Sequence, residues 1–234
     1  MILAANQPYF LPYLRYWQLI RCADLFLLAD DYDFIRSGWV NRNRILVNGR
    51  PQFFRMEVHS NRESRLIRDR RLVDCPEALR SKLRTLDMAY HKAPFFAEGY
   101  ALAQRILLYP GRGMLPFLEH SIREVCAYLD IRTPIGHTSD LEGNSLLRRE
   151  ERIYDQCRRV GADTYVNLPG GRALYDPASF SRQGIRLRFL DSPLRPYPQG
   201  KGPFVPGLSI LDAIMFNPPE MLQAMLGDYT LSDE

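Results

Sequence analysis

Hydrophobic residues along the chain fall into short runs and longer periodic segments, which predict alternating strands and helices. Apolar runs at 1–5 and 25–29 have the length of buried strands, and apolar residues recur at helical spacing between them, over 14–22. The same pattern predicts strands at 133–137, 164–166 and 185–189 and helices at 145–160 and 209–216. Strands that alternate with helices favour an α/β fold: a mostly parallel sheet flanked by helices.

A different pattern follows the second predicted strand. Two runs of β-forming residues, 44–47 and 52–58, flank Asn48-Gly49, a pair that is typical of a tight hairpin turn. Pro51 should make the second strand of this hairpin start late or lie at an edge. The expected organisation is a single domain, 1–234, with an inserted hairpin at about 39–60 and a helical segment at about 76–130.

Composition limits the class of protein. Hydrophobic residues make up 46% and charged residues 25% of the 234 residues, which is typical of a globular chain and excludes a disordered one. The apolar run at 25–29 is far shorter than the roughly 20 residues of a membrane helix, and the N-terminus has no signal-peptide pattern. We therefore expect a cytoplasmic protein without a membrane span, with its four scattered cysteines reduced.

The basic charge is almost entirely arginine. Three of the 31 cationic residues are lysine, and ten arginines lie between Arg36 and Arg71 against three acids. Base composition of the genome would explain this usage, and so would phosphate recognition, since guanidinium binds phosphate with two parallel hydrogen bonds. The net charge of +4 is small for a protein that binds duplex DNA, but it allows a local basic face for one anionic ligand.

Polar residues follow the predicted strands at the point where each strand ends, and ligands of open parallel sheets bind at that edge. Asn6, Gln7 and Tyr9 follow the first strand and offer amide and phenol groups to a sugar or an amino acid. Asp30 and Asp31 follow the second strand. These carboxylates could accept a proton, or hold Mg²⁺ and through it a diphosphate.

The hairpin entrance and a glycine-rich turn supply further candidates for substrate binding. Arg42 is expected to contact a phosphate or carboxylate, and Trp39 to stack on a base or sugar. Gly170 and Gly171 precede Arg172, and backbone amides in such a turn can bind an anion. The remaining candidates are Asn41, Asn43, Lys92, Tyr175 and Asp212.

Structural interpretations compete with several of these assignments. His91 could be a general base near neutral pH, but His91 and Lys92 also end a predicted helix, where a cation complements the helix dipole. Ser209 and Asp212 have the spacing of a capping box at the start of the last helix.

Sequence blocks that cover nearly the whole chain in order resemble the WbqC-like protein family. The blocks are 6–13, Asp30-Asp31, 39–45, 90–96, 161–165 with Gly170-Gly171 and Tyr175-Asp176, and 206–212. The chain departs from the family pattern at Asn6, where many members have His, and at Arg15, where a small residue is usual.

The resemblance implies a role in bacterial surface-polysaccharide biosynthesis, because members of the family stand in gene clusters for O-antigen and other surface glycans. For one branch it implies the transfer of glycine to an amino sugar. It therefore predicts an acyl or aminoacyl transferase that acts on a nucleotide-linked amino sugar, with aminoacyl-tRNA or an adenylate as donor. The expected roles are phosphate binding by Arg42, Arg44 and Arg172, polar contacts by Gln7 and Asn41, and proton or metal binding by Asp30 or Asp31.

Two other functions fit the same residues. Asp31 and Asp33 form an Asp-x-Asp pair, which is similar to the metal site of many glycosyltransferases, although a helix cap or a solvated turn would also explain it. The chain could also be a non-catalytic module that binds nucleotide sugars. Activity that vanishes with EDTA would indicate the glycosyltransferase, and binding without turnover would indicate the module.

Overall fold

The computed structural model describes residues 1–193 and 195–233. Leu194 and Glu234 lie outside the described residues. The strands are β1 (Ile2–Asn6), β2 (Leu25–Leu28), β3 (Arg42–Val47), β4 (Arg50–Arg55), β5 (Ile135–His137), β6 (Thr164–Asn167), β7 (Arg186–Asp191) and β8 (Thr230–Ser232). The helices are α1 (Leu14–Cys22), α2 (Pro76–Tyr90), α3 (Phe96–Leu107), α4 (Met114–Tyr128), α5 (Arg149–Val160), α6 (Pro177–Arg182), α7 (Ile210–Phe216) and α8 (Pro219–Gly227).

The main sheet has the strand order β5-β2-β1-β6-β7-β8. Its neighbours pair in parallel from β5 to β7, and β8 pairs antiparallel with β7 at one edge. The predicted α/β class, a mostly parallel sheet flanked by helices, is confirmed. Because β1 and β6 are adjacent in the centre of the sheet, the loops that follow them meet at the same edge.

Side chains of the central strands alternate between two cores, as the two-residue period of a strand requires. Leu3 and Leu27 pack on one face with Phe180 of α6. Phe26 packs on the other face with Trp17 of α1. Helices therefore cover both faces, which explains why these strands are continuous hydrophobic runs in the sequence.

The hairpin β3–β4 and the helices α2–α4 lie in sequence between β2 and β5, which are neighbours in the sheet. Asn48 and Gly49 form the hairpin turn with φ of +51° and +72°, which is the left-handed region that this turn type needs. Pro51 lies inside β4, opposite Leu46, so the strand begins before Pro51. Strand β4 belongs to a two-stranded ribbon, in which both strands are edge strands. The expectation that the hairpin, the helices and the sheet form one domain stays a prediction.

The predicted helix 145–160 is wrong in its first turn. Residues Asn144–Leu146 form a 3₁₀ turn, and α5 begins only at Arg149. The reason lies in the side chain of Asn144, whose Nδ2 donates to the carbonyl of Arg152 at 2.9 Å and whose Oδ1 accepts from Nε of Arg152 at 2.9 Å. These bonds fold the turn back on α5 and keep it out of the helix.

Within the described ranges, no helix has both the length and the apolar character that crossing a bilayer requires. Cys22, Cys75, Cys126 and Cys157 are unpaired.

Candidate functional site

A pocket of about 440 Å³, which we call the rim pocket, lies at the carboxyl ends of β1 and β6. The predicted site residues that it brings together come from three separate parts of the sequence. Its predicted site residues are Asn6, Gln7, Tyr9, Trp39, Gly170, Gly171 and Tyr175. The rule that ligands of parallel sheets bind beyond the strand ends therefore located a real cavity in this chain.

The hairpin holds the loop after β1 in place. Asn43 is buried, and its Nδ2 donates to the carbonyls of Phe10 and Leu11 at 3.3 and 2.9 Å. Leu11 has a φ of +46°, an unusual conformation for a leucine, and the N–H of Phe10 donates to the carbonyl of Trp39. Asn43 therefore positions the loop that carries Gln7 and does not line the pocket itself.

Polar groups of the rim pocket remain open to a ligand. Oδ1 of Asn6 accepts from the backbone N–H of Gln7 at 2.8 Å. The carboxamide of Gln7 and the hydroxyl of Tyr9 have no hydrogen bond to any described residue. Burial raises the pKa of the Tyr9 and Tyr175 phenols, which stay protonated and can donate at neutral pH. Amides and neutral phenols suit the hydroxyl and amide groups of a sugar.

The glycine-rich turn after β6 forms one wall of the rim pocket. A Cβ added to Gly171 would lie 2.7 Å from Nδ2 of Asn167, so only glycine fits this position without displacing that amide. Gly170 has open space at its Cβ position. The turn continues as a 3₁₀ helix, Pro169–Leu174, which carries the backbone towards Tyr175.

A second pocket, of about 870 Å³, adjoins the rim pocket, and we call it the basic pocket. The two pockets share Tyr32, Leu174 and Tyr175 as walls. Four arginines and two aspartates line the basic pocket: Arg68, Arg148, Arg149, Arg152, Asp31 and Asp33. Neutral hydrogen-bonding groups and a surplus of positive charge thus lie side by side.

Asp31 is held by a buried ion pair. Its Oδ1 accepts from the guanidinium of Arg152 and from the hydroxyl of Thr138. The same guanidinium lies 4.1 Å from the ring centroid of Tyr32 and donates to Asn144. A pair this deeply buried is maintained by its additional hydrogen bonds as well as by charge.

Asp30 points away from the pockets. It is fully buried, its Oδ1 accepts from the N–H of Ser139 at 3.1 Å, and its Oδ2 has no partner. Of the adjacent aspartates, only Asp31 lines a pocket. Both residues lie in the turn after β2, and this turn gives the two neighbouring carboxylates different environments.

Two arginines predicted to bind phosphate are engaged elsewhere. Arg42 donates through Nε to the carbonyl of Gly38 at 3.0 Å, and its guanidinium lies 4.3 Å from the ring centroid of Phe53. Arg172 forms a two-point ion pair with Asp191, at 3.0 and 2.6 Å. Both side chains stabilise local structure, and neither lines the rim or the basic pocket.

The structure also leaves His91, Lys92 and Asn41 outside both pockets. Nδ1 of His91 lies 3.0 Å from the carbonyl of Asp87, one turn earlier on its own helix. Nδ2 of Asn41 donates to the carbonyl of Met56 and so braces the hairpin. The roles predicted for these three residues gain no support from their positions.

Asp212 is a buried anchor, and the predicted capping box is wrong. Its carboxylate accepts from Tyr90, Tyr197 and Gln199, at 3.0, 2.8 and 2.6 Å, and does not reach back to the N–H of Ser209. Ser209 does cap α7, because its hydroxyl accepts from the N–H of Leu211. Burial raises the pKa of Asp212.

A third cavity, of about 400 Å³, lies beneath the segment 195–207, and we call it the strap pocket. Arg15 and Arg44 line it together with apolar residues. Arg44, which the sequence suggested as a phosphate ligand, therefore lies in a different pocket from Gln7.

Sequence reasoning missed the arginines of the basic pocket. The available signal was the segment 148–152, in which Arg148 and Arg149 precede Arg152 by about one helical turn and so fall on one side of the chain. Arg68 comes from a distant loop, and no spacing rule connects it to the others.

A family model described as the WbqC-like protein family matches residues 7–224 of the chain. A protein of Mycobacterium tuberculosis (strain ATCC 25618 / H37Rv), named uncharacterized protein Rv1507c, is 30% identical over 217 residues, which cover 92% of each chain. No solved structure matches the chain.

Proposed function

The chain belongs to the WbqC-like protein family, and from this premise we propose that it is an acyl or aminoacyl transferase. Its acceptor in this proposal is a nucleotide-linked amino sugar, and its pathway is the biosynthesis of bacterial surface polysaccharide of the O-antigen type. The proposal combines what the family resemblance implies with the chemistry of the two adjoining pockets.

The observation that carries the proposal is the shared wall of the rim and basic pockets. A nucleotide-linked sugar has a neutral, hydroxyl-rich ring next to a diphosphate. The two pockets offer matching groups in the same order. The rim pocket has the open amide and phenol groups of Gln7 and Tyr9, Tyr175 is the common wall, and the basic pocket has arginines such as Arg148. A ligand that spans this wall would satisfy both halves of the cleft.

Acyl transfer to an amine depends mainly on positioning the two reactants. The amine of the sugar attacks the carbonyl carbon of an activated acyl group, a C–N bond forms, and the bond to the leaving group of the donor breaks. The amine releases one proton, which passes to the leaving group of the donor, because Asp31 lines only the basic pocket and is already paired with Arg152. Holding amine and acyl group together supplies much of the rate enhancement. Aminoacyl-tRNA and an aminoacyl adenylate are both compatible donors.

A metal-dependent glycosyltransferase fits the cleft less well. The carboxylate of Asp31 is already paired with Arg152, whose positive charge occupies the position that a cation would need. Asp33 is exposed, and in the described ranges no three acidic, histidine or cysteine side chains gather as a metal site. Mg²⁺ therefore has no fitting set of ligands, and we derive no step through it.

Mass spectrometry of a reaction mixture tests the proposed function. The protein is incubated with UDP- or dTDP-linked amino sugars, glycine, ATP and charged tRNA. A gain of one aminoacyl unit on the sugar nucleotide is expected. Transfer of a hexose would instead indicate a glycosyltransferase, and binding without any change of mass would indicate a non-catalytic module; either result would overturn the proposal.

Gln7→Ala should weaken the binding of the acceptor without affecting the fold. The variant removes one carboxamide that lines the pocket, and a net hydrogen bond of about 0.5–1.5 kcal/mol predicts a Kd for the UDP-amino sugar about twofold to twelvefold higher. Gln52→Ala, an exposed position on β4 that lines neither pocket, is the matched control. Titration calorimetry that finds equal affinities for the two variants would remove Gln7 from the site.

A further inference from the structure

Positive charge in the basic pocket is only partly compensated. Asp31 is neutralised by Arg152. Arg148 and Arg149 are exposed and form no ion pair with any described carboxylate, and Arg68 reaches Asp69 only at 4.0 Å. A concave surface with uncompensated guanidinium groups concentrates the field and attracts anions.

Two acidic residues follow these arginines, and neither forms an ion pair with them. Glu151 is exposed and has no ion pair with any described residue. Glu150 follows Arg149 directly, but its Oε1 accepts from the N–H of Asp176 at 2.7 Å and its Oε2 accepts from the hydroxyl of Tyr154 at 3.0 Å. Its carboxylate is therefore directed towards the start of α6. Asp33 lines the basic pocket as the remaining acid, so positive charge stays in excess there.

The backbone adds to this environment. Helix α5 has 12 residues, and its N-cap residue, Arg148, supplies no side-chain acceptor for the first N–H groups. The positive end of the helix lies beside the arginines at the pocket wall, where Glu150 and Glu151 in its first turn offset part of the helix dipole. Arg149 has a φ of +48°, a conformation that costs about 1 kcal/mol in a residue other than glycine. The surrounding structure thus holds the backbone of Arg149 in this conformation.

We propose that the basic pocket binds the diphosphate of a nucleoside diphosphate, with Arg68, Arg148 and Arg149 as its ligands. Several guanidinium groups around one pocket match the many oxygens of two linked phosphates better than they match the two oxygens of a single carboxylate ligand. The shared wall at Tyr175 places the sugar that the diphosphate carries in the rim pocket. The inference rests on the proposed function only for the identity of that sugar.

Titration calorimetry with UDP, pyrophosphate and uridine tests the diphosphate site directly. The double variant Arg68→Gln/Arg148→Gln should raise the Kd for UDP and for pyrophosphate by at least about tenfold. The affinity for UDP should also fall less steeply with salt than in the unmodified chain. Both replaced side chains are exposed, so the melting temperature should stay within about 2 °C of that of the unmodified protein.

The control is Arg84→Gln, an exposed arginine on α2 that has no ion pair among the described residues and lines none of the three pockets named above. Equal Kd values for UDP in the double variant and the control would overturn the assignment, as would a wild-type chain that binds neither UDP nor pyrophosphate. Arginine-dependent binding of UDP without acyl transfer would uphold the diphosphate site and reject the proposed enzyme. Acyl transfer with unchanged binding of UDP in the double variant would do the reverse.

Discussion

Replacing Arg152 with methionine is expected to lower the free energy of unfolding by about 3 to 5 kcal/mol. The change leaves the buried carboxylate of Asp31 without its cation, removes a hydrogen bond to Asn144 and ends the contact with the ring of Tyr32. A carboxylate that loses its only cation in a buried site costs far more than the lost attraction between exposed charges. Urea denaturation measures the change.

Arg159→Met on the same helix is the matched control. Arg159 pairs with Asp155 at 2.8 Å, but its side chain is 41% exposed, so the loss should be about 0.5 kcal/mol or less. Adding Asp31→Asn to Arg152→Met should restore part of the stability, because the position then holds no charge. If Arg152→Met and Arg159→Met have the same free energy of unfolding, the ion pair does not hold the wall of the basic pocket.

Asp212→Ala should destabilise the protein by a similar amount, about 3 to 5 kcal/mol. The change removes the acceptor of three donors: the buried hydroxyl of Tyr90, the half-buried hydroxyl of Tyr197 and one N–H of the Gln199 amide. It also separates α7 from the segment that crosses its surface, since Gln199 in turn binds the backbone of Val205. Asp212→Asn keeps an acceptor for two of these donors and should cost less than half as much.

The stability of the wild-type chain relative to Asp212→Asn should depend on pH in a defined direction. Burial raises the pKa of Asp212 in the folded protein above that of the unfolded chain, so folding favours the protonated carboxyl. This contribution is complete below the unfolded pKa, about 3.9, and is lost as pH rises through the folded pKa. The advantage of the wild type over Asp212→Asn should therefore decrease as the pH rises above about 4. A difference that grows with pH would contradict the burial argument.

The sequence alone located one half of the site because that half depends on local signals. Hydrophobic runs end at Asn6 and Asp30, and the carboxyl ends of parallel strands necessarily lie along the same sheet edge. The Asn48-Gly49 pair likewise specified the hairpin, because few other dipeptides adopt the required left-handed turn. The position of Gln7 in a pocket follows from these two features.

The other half depends on contacts between distant segments, which spacing rules do not describe. Arg42 is a suitable phosphate ligand by type, but the carbonyls of Ser37 and Gly38 engage it. Arg152 meets Asp31 from a segment 121 positions away, and Asn144 orients its guanidinium by accepting from Nε. An arginine-rich chain offers many such candidates, and only the fold selects which of them line a cavity.

The central claim is that one cleft holds the amino sugar in the rim pocket and the diphosphate in the basic pocket. A crystal structure of the chain with a bound UDP-amino sugar tests it most directly. We expect the sugar ring within hydrogen-bonding distance of Gln7 and the phosphate oxygens within hydrogen-bonding distance of Arg68 and Arg148. Ligand density in the strap pocket beside Arg15 and Arg44, or a sugar among the arginines of the basic pocket, would contradict the account.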